Sequence, residues 1–262
     1  MCIRDRTYIP EKGVLLSCDA FGGYSIPPFI FDDELEDLET YLTSARKYFA
    51  NVISKYGDYV VRAIGKLKAL GLKPRVIAPS HGVIWRKDPA RIVDEYLKWS
   101  KGEANSRKAT LIYSSMYGEV KELVEHFSAL LIEKGLEVKS FGYTDVDHPE
   151  MSDVLGEILD SSLLVLATPA YESGIFPEMR ELIQILKTKG ITGKEAVVLS
   201  SYGWAPVAGR RMRELLEEAG FRVIGIIEFQ GRPKEIHFEK SRELAERLVK
   251  APRRVEGFHP ST

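Results

Sequence analysis

At 262 residues the chain is long enough for one large domain or two modest ones, and 44% apolar residues supply ample core. Its 37 basic and 38 acidic residues nearly cancel, so no net field exists to draw in nucleic acid or an anionic membrane. The longest apolar stretches are strand-sized, far short of the ~20 residues of a membrane span, no secretory signal opens the chain, and two cysteines (Cys2 and Cys18) cannot build a disulfide framework; together these read as a cytoplasmic protein.

The first six residues, Met1 to Arg6, fit nothing that follows. They resemble an adapter-derived leader of assembled metagenomic sequence, so the chain reads as a piece of a protein that extends upstream. Residues 7–104 then form one organisational block. A strand Val14–Cys18 runs into Asp19-Ala-Phe-Gly-Gly23, and apolar spacing predicts a long helix over 34–56 and a second over 59–70, stopped at Gly71. A short strand at Val76-Ile77 leads into Ala78-Pro-Ser-His-Gly-Val-Ile-Trp85, and a helix covers 89–99. Lys101 to Lys108 is polar and carries Gly, Asn and Ser, as a linker does.

From there to residue 252, strands alternate with helices. Strands are predicted at 109–113, 136–141, 163–168, 196–200 and 221–229, with helices beginning near Val120, Met151, Pro177, Val207 and Ser241. Strand–helix alternation of this kind specifies an α/β doubly wound parallel sheet in the order 2-1-3-4-5. Residues 253–262 read as a tail.

Three of these strands end in loops of one character: Ser114-Ser-Met-Tyr-Gly118, Pro169-Ala-Tyr-Glu-Ser-Gly174 and Ser201-Tyr-Gly-Trp204. In an open parallel sheet such ends lie together, and ligands bind there at the topological switch point. The first loop feeds directly into a helix, whose N–H groups and dipole favour an anion. It lacks G-x-x-x-x-G-K-S/T, so it is not a nucleoside-triphosphate loop. Small hydroxyl residues on one loop and aromatics on the other two suit a planar, phosphorylated cofactor, of which flavin mononucleotide (FMN) fits best. Asp19 and His81 each follow an apolar strand in a loop of small residues, as metal ligands commonly do. An Asp after a strand is more often a turn former and a His in such a loop more often a loop donor, and two ligands fall short of a metal geometry.

The loops S-M-Y-G and S-Y-G-W resemble those of the flavodiiron proteins (A-type flavoproteins), and S-C-D-A-F-G and A-P-S-H-G-x-I-W-R resemble the last two ligand motifs of that family's metallo-β-lactamase-like domain. The resemblance implies the C-terminal part of a metallo-β-lactamase-like αββα domain over 7–104, followed by a flavodoxin-like FMN domain over 105–252. It implies that Ser114, Ser115, Met116, Tyr117, Gly118, Glu119 and Val120 hold the FMN phosphate, with the Glu119 side chain turned to solvent. It implies that Thr168, Pro169, Ala170, Tyr171 and Gly174, with Ser200, Ser201, Tyr202, Gly203 and Trp204, line the ring system. Val120 departs from the wider flavodoxin pattern, where a phosphate-binding Thr is usual, so more of the phosphate's affinity must come from backbone N–H groups. Asp19 would be the bridging carboxylate and His81 a terminal ligand of a diiron centre, whose H-x-E-x-D-H cluster and one further histidine do not occur in this chain. His126, His148, His237 and His259 read as surface histidines and do not replace them.

The function expected of the intact protein is reduction of O2 to water or of NO to N2O, with electrons passing from a donor such as rubredoxin or a reductase through FMN to two non-haem irons, in a head-to-tail homodimer or a dimer of dimers. The alternative is a flavodoxin-type electron carrier or quinone reductase without a working metal site, which would have no use for the Asp19 and His81 motifs. A metallo-hydrolase, or a module that has lost its flavin, explains fewer of the residues.

Overall fold

The computed structural model describes residues 6–24 and 29–250; Cys2, His259 and the expected tail 253–262 lie outside the described residues. The chain divides into two compact units, with the break between Glu103 and Ala104.

In the N-terminal unit, β1 (Thr7–Ile9) pairs antiparallel with β2 (Val14–Cys18), and β2 pairs parallel with β3 (Val76–Pro79). The expected helix over 34–56 is shorter at its start. Asp32–Glu34 form a single tight turn, and α1 (Leu38–Tyr48) begins where the Asp37 carboxylate accepts the N–H groups of Glu39 and Thr40 at 3.0 and 3.1 Å. An N-cap aspartate ends the extended chain and starts the helix in one step. Past Tyr48 the coil widens to a π turn (Phe49–Ile53), tightens at Ser54–Tyr56, and resumes as α2 (Gly57–Ala69). α3 (Pro89–Ser100) opens with proline in its first turn. The chain ahead of it is fastened by the buried Asp32, whose carboxylate accepts the N–H groups of Arg86, Lys87 and Asp88 at 2.8, 3.0 and 3.0 Å. The core is largely aromatic: Phe21, Tyr41, Tyr48, Phe49, Trp85, Tyr96 and Trp99 are all buried, with Phe49 5.1 Å from Tyr96 edge-on.

The C-terminal unit is the doubly wound sheet expected. β4 (Asn105–Ser114), β5 (Glu137–Tyr143), β6 (Ser161–Tyr171), β8 (Glu195–Tyr202) and β9 (Arg222–Gln230) are parallel in the order β5-β4-β6-β8-β9. A two-residue strand, β7 (Gly174–Ile175), folds back antiparallel on the end of β6. Because β4 starts at Asn105, the expected linker over 101–108 shrinks to its first residues. α4 (Glu119–Glu133) and α8 (Glu235–Lys250) pack together on one face of the sheet, while α5 (Met151–Asp160), α6 (Pro177–Lys189) and α7 (Ala208–Glu218) belong to the other crossovers. Val120, Leu123, Val124, Phe127 and Leu131 fall at helical spacing along α4 and meet Leu111, Val165, Leu199 and Phe229 of the strands.

α8 begins six residues before the expected position. The Lys234 N–H donates to His237 Nδ1 at 2.9 Å, closing the first turn where a polar, proline-bearing sequence hides the helical period. Two histidines expected on the surface are partly packed instead: His126 lies edge-on to Phe238 at 4.9 Å and His237 tilts over Phe229 at 5.6 Å. Burial lowers the pKa of both.

At the N-terminal ends of the strands the unit buries charge. Lys108 Nζ meets Glu157 at 2.6 Å and Asp160 at 3.3 Å. Lys194 Nζ donates to the carbonyls of Leu159 and Ser161 at 3.0 and 2.8 Å, satisfying acceptors left open where α5 ends. Burial lowers the Lys194 pKa to about 8, against a smaller opposing pull from Asp160.

Candidate functional site

The C-terminal ends of β4, β6 and β8 are neighbours in the sheet, so their loops share one edge. The switch point lies between β4 and β6, since the chain leaves β4 for β5 on one side and returns to β6 on the other. On the first loop, Ser114 is fully buried and its hydroxyl has no partner among the described residues. The Ser115 N–H donates to the Tyr143 carbonyl at 3.2 Å, and its hydroxyl accepts the Gly118 N–H at 3.1 Å. Gly118 stands at φ +92°, the left-handed region that glycine enters without a Cβ penalty, and it turns the chain into α4. No side chain caps the start of α4. Met116 and Glu119 are half-buried, Tyr117 is 80% exposed, and Val120 is turned into the apolar core.

The second loop is smaller than the sequence suggests. β6 runs on through Pro169 and Ala170 to Tyr171, and only Glu172 and Ser173 form the turn before β7. Both stand at positive φ, +45° and +59°, which the right-handed twist of a two-residue hairpin requires and which usually selects Asn-Gly. The buried Thr168 holds the hairpin base: its hydroxyl donates to the Pro169 carbonyl at 3.1 Å and accepts the Phe176 N–H at 3.3 Å. Tyr171 is 37% exposed and packs edge-on against Phe176, while Gly174 is buried.

On the third loop, Ser200 and Ser201 are buried, Tyr202 is half-buried, Gly203 is exposed, and Trp204 is 100% exposed. The Gln230 side-chain amide donates to the Gly203 carbonyl at 2.9 Å, and the Gly231 N–H donates to that of Tyr202 at 3.0 Å. The Ser200 hydroxyl points away from the loop tip, donating to Glu228 Oε1 at 3.0 Å. Glu228 is a residue the sequence reading passed over, because a lone glutamate in an alternating strand looks like a solvent-facing position. The edge as a whole has an unpaired buried hydroxyl beside an uncapped helix start and three exposed aromatics on adjoining loops. Those features fit the phosphate and the planar ring of FMN. By contrast, a cavity of about 350 Å³ at the opposite end of the strands is lined by Lys194, Glu195, Glu217 and Arg222. Arg222 is already paired with Glu195 there, so it offers no anion seat.

The N-terminal unit brings its two candidate ligands together. Cys18 and Pro79 are paired at the ends of the adjacent parallel strands β2 and β3, and the Ser80 N–H donates to the Cys18 carbonyl at 2.8 Å. Asp19 and His81 follow directly, with His81 Nε2 at 3.6 Å from Asp19 Oδ1. The histidine side chain is 58% exposed and the aspartate 16%. Three aromatic side chains hold these loops by their backbone. Trp85 Nε1–H donates to the Phe21 carbonyl at 3.1 Å, the Tyr96 hydroxyl donates to the Gly22 carbonyl at 3.0 Å, and the Tyr41 oxygen accepts the Val83 N–H at 2.9 Å. Tyr48 leans over His81 at 5.9 Å, and burial, aided by the Asp19 charge, raises the pKa of its hydroxyl. The Cys18 thiol lies 3.9 Å from Asp19 Oδ1, but among the described residues no group of three or more His, Cys, Asp or Glu is arranged to hold a metal ion. Two ligands do not by themselves hold two irons.

A family model described as Flavodoxin matches residues 111–244. The chain is 29% identical over 249 residues to a nitric oxide reductase of Moorella thermoacetica, covering 93% of this chain and 61% of that protein. It is 27% identical over 252 residues to an anaerobic nitric oxide reductase flavorubredoxin of Pectobacterium carotovorum, covering 94% and 49%. Among solved structures, a variant of a flavo di-iron protein from Thermotoga maritima is 35% identical with a TM-score of 0.84, covering 94% of this chain and 60% of its own. Rubredoxin oxygen:oxidoreductase from Desulfovibrio gigas shares the fold, with a TM-score of 0.87 at 22% identity over 94% and 61%. The chain thus spans between 49% and 61% of the length of these relatives.

Proposed function

The chain belongs to the flavodoxin family, and from that premise we propose that it holds FMN at the C-terminal edge of its parallel sheet, as the electron-transfer part of a flavodiiron oxidoreductase. When bound, FMN supplies both one- and two-electron redox chemistry in a single group. The observation that carries this reading is the buried, unpartnered Ser114 hydroxyl at the point where the uncapped turn of α4 begins. A buried hydroxyl without a partner costs free energy, and a phosphate oxygen would satisfy it together with the free N–H groups of the helix start. Ser115 and Gly118 shape that seat. Val120 contributes its backbone N–H only, because its side chain anchors α4 in the core. In this reading Tyr117, Tyr171, Tyr202 and Trp204 wall the apolar ring from water, and the exposure of Tyr117, Tyr171 and Trp204 supports it.

The whole activity in this reading is reduction of NO or O2, the substrates in the names of the relatives from Moorella thermoacetica and Desulfovibrio gigas. Its partners are an electron donor such as rubredoxin or a reductase, and a second copy of the chain. Asp19 and His81 supply two ligands of the metal site and need others to complete it. Their approach to 3.6 Å at adjoining strand ends favours this reading over a plain flavin carrier.

The test is to purify the chain, record its visible spectrum, and titrate it with FMN and with iron. We expect one FMN per chain, with flavin bands near ~370 and ~450 nm, and iron below two per chain. Ser114→Ala should weaken FMN binding by about tenfold, the loss of one hydrogen bond to a charged group. A colourless protein that takes up no added FMN would overturn the reading.

A further inference from the structure

Glu228 lies outside every motif that the sequence singles out, yet it is tied to the proposed flavin edge from beneath. It stands on β9, in register with Ser200 of β8. One oxygen, Oε1, accepts both the Ser200 hydroxyl at 3.0 Å and the Gly209 N–H at 2.9 Å. Ser200 precedes Tyr202 by two residues, and Gly209 is the second residue of α7, whose start has no side-chain cap of its own. A single carboxylate oxygen therefore joins the end of β8 to the start of α7, the two ends of the loop that carries Tyr202, Gly203 and Trp204. A negative charge is well placed at a helix start, and bonds to an ionised acceptor are stronger than neutral ones. The fit is close: a Cβ added at Gly209 would come within 3.1 Å of both Glu228 Oε1 and Ser200 Oγ. The same strand also holds the loop tip, through Gln230 to the Gly203 carbonyl and Gly231 to that of Tyr202.

We propose that Glu228 is a positioning residue for the flavin site. It fixes the loop from Ser201 to Val207 in its binding shape before the cofactor arrives, acting through Ser200 and Gly209 and touching no cofactor itself. This inference rests on the reading that FMN binds at this edge. A loop ordered in advance loses less freedom on binding, so the effect of the carboxylate is read in affinity as well as in local protection.

Two measurements on the whole chain test it. The first is amide exchange of residues 203–209 in flavin-free protein, which does not depend on any cofactor. Glu228→Ala should exchange there about tenfold faster, whereas Glu228→Gln, whose amide oxygen can accept the same two bonds without the charge, should exchange no more than about threefold faster than the parent. The second is the FMN dissociation constant by calorimetry: about tenfold weaker for Glu228→Ala and within about threefold of the parent for Glu228→Gln. Ser200→Ala removes one of the two bonds and should weaken FMN by about threefold, which keeps the idea testable if Glu228→Ala does not fold. Faster exchange with unchanged FMN affinity would overturn the proposal, as would a Gln variant that behaves like Ala. A parent chain that binds no FMN while its loop stays protected would overturn the flavin reading, and the proposal with it.

Discussion

In the N-terminal unit, aromatic side chains point inward and hold the loops of Asp19 and His81 by their backbone: Trp85 to Phe21, Tyr96 to Gly22, Tyr41 to Val83. In the C-terminal unit the core beneath the sheet edge is mainly aliphatic, and the loops are held by polar side chains, the hydroxyls of Ser115 and Thr168 and the carboxylate of Glu228. Its aromatics at the edge, Tyr117, Tyr171 and Trp204, are turned outward. On the proposed reading, the difference follows from what each edge would present. A pair of small donors such as Asp19 and His81 would need a rigid backbone and little surface, whereas a planar ring would need walls. Aromatic residues serve the first purpose from inside and the second from outside.

Removing core volume from one unit alone should have the largest effect. Phe127→Ala, at the centre of the α4 face, should cost the C-terminal unit about 3–5 kcal/mol. Amide exchange resolved by residue should show the loss in 104–249 and leave α1 to α3 protected; loss in both together would mean that the units do not stand separately.

Buried charge gives a second handle on the aliphatic unit. Its Lys194 releases a proton near pH 8 when folded, while an unfolded lysine keeps it to about 10.5. Between those values the unfolded chain binds more protons, so stability rises with pH from this group, by about 1–2 kcal/mol between pH 8 and 9.5. Denaturant melts across that range should show the slope in the parent chain and lose it in Lys194→Met.

For the aromatic unit, Tyr96→Phe keeps the ring and leaves the Gly22 carbonyl without its donor, at a cost of about 1–2 kcal/mol. Faster exchange around Gly22 and Gly23, without change near Trp204, would sharpen the contrast. The smallest effect is a gain: Ser173→Gly, at φ +59°, should raise the melting temperature of the C-terminal unit, reflecting about 1 kcal/mol of relieved backbone strain.

Much of this architecture was legible beforehand, for identifiable reasons. Parallel strands buried on both faces read as unbroken apolar runs, and α4 repeats its apolar positions at helical spacing, so the sheet order could be written down. The loops at the edge stood out by their Ser, Gly and aromatic content. What could not be read was any contact made across a long stretch of chain. Tyr96 reaches Gly22 over 74 residues, and Glu228 reaches Gly209 by way of its register with Ser200. Neither bond leaves a local period. The start of α1 is hidden because Leu35 and Leu38 share a helical spacing that the Asp37 cap interrupts. The hairpin at Glu172-Ser173 hides in the sequence because neither residue is the usual choice for a positive φ.

The full exposure of Trp204 gives the molecule an optical property. Of its three tryptophans, Trp85 and Trp99 are sealed in the N-terminal unit and Trp204 alone stands in water. Indole in water emits toward the red, where an isoalloxazine ring absorbs, so a ring laid against this loop would draw off that light. The long-wavelength share of the protein's own fluorescence would then report, without any label, whether its sheet edge is filled.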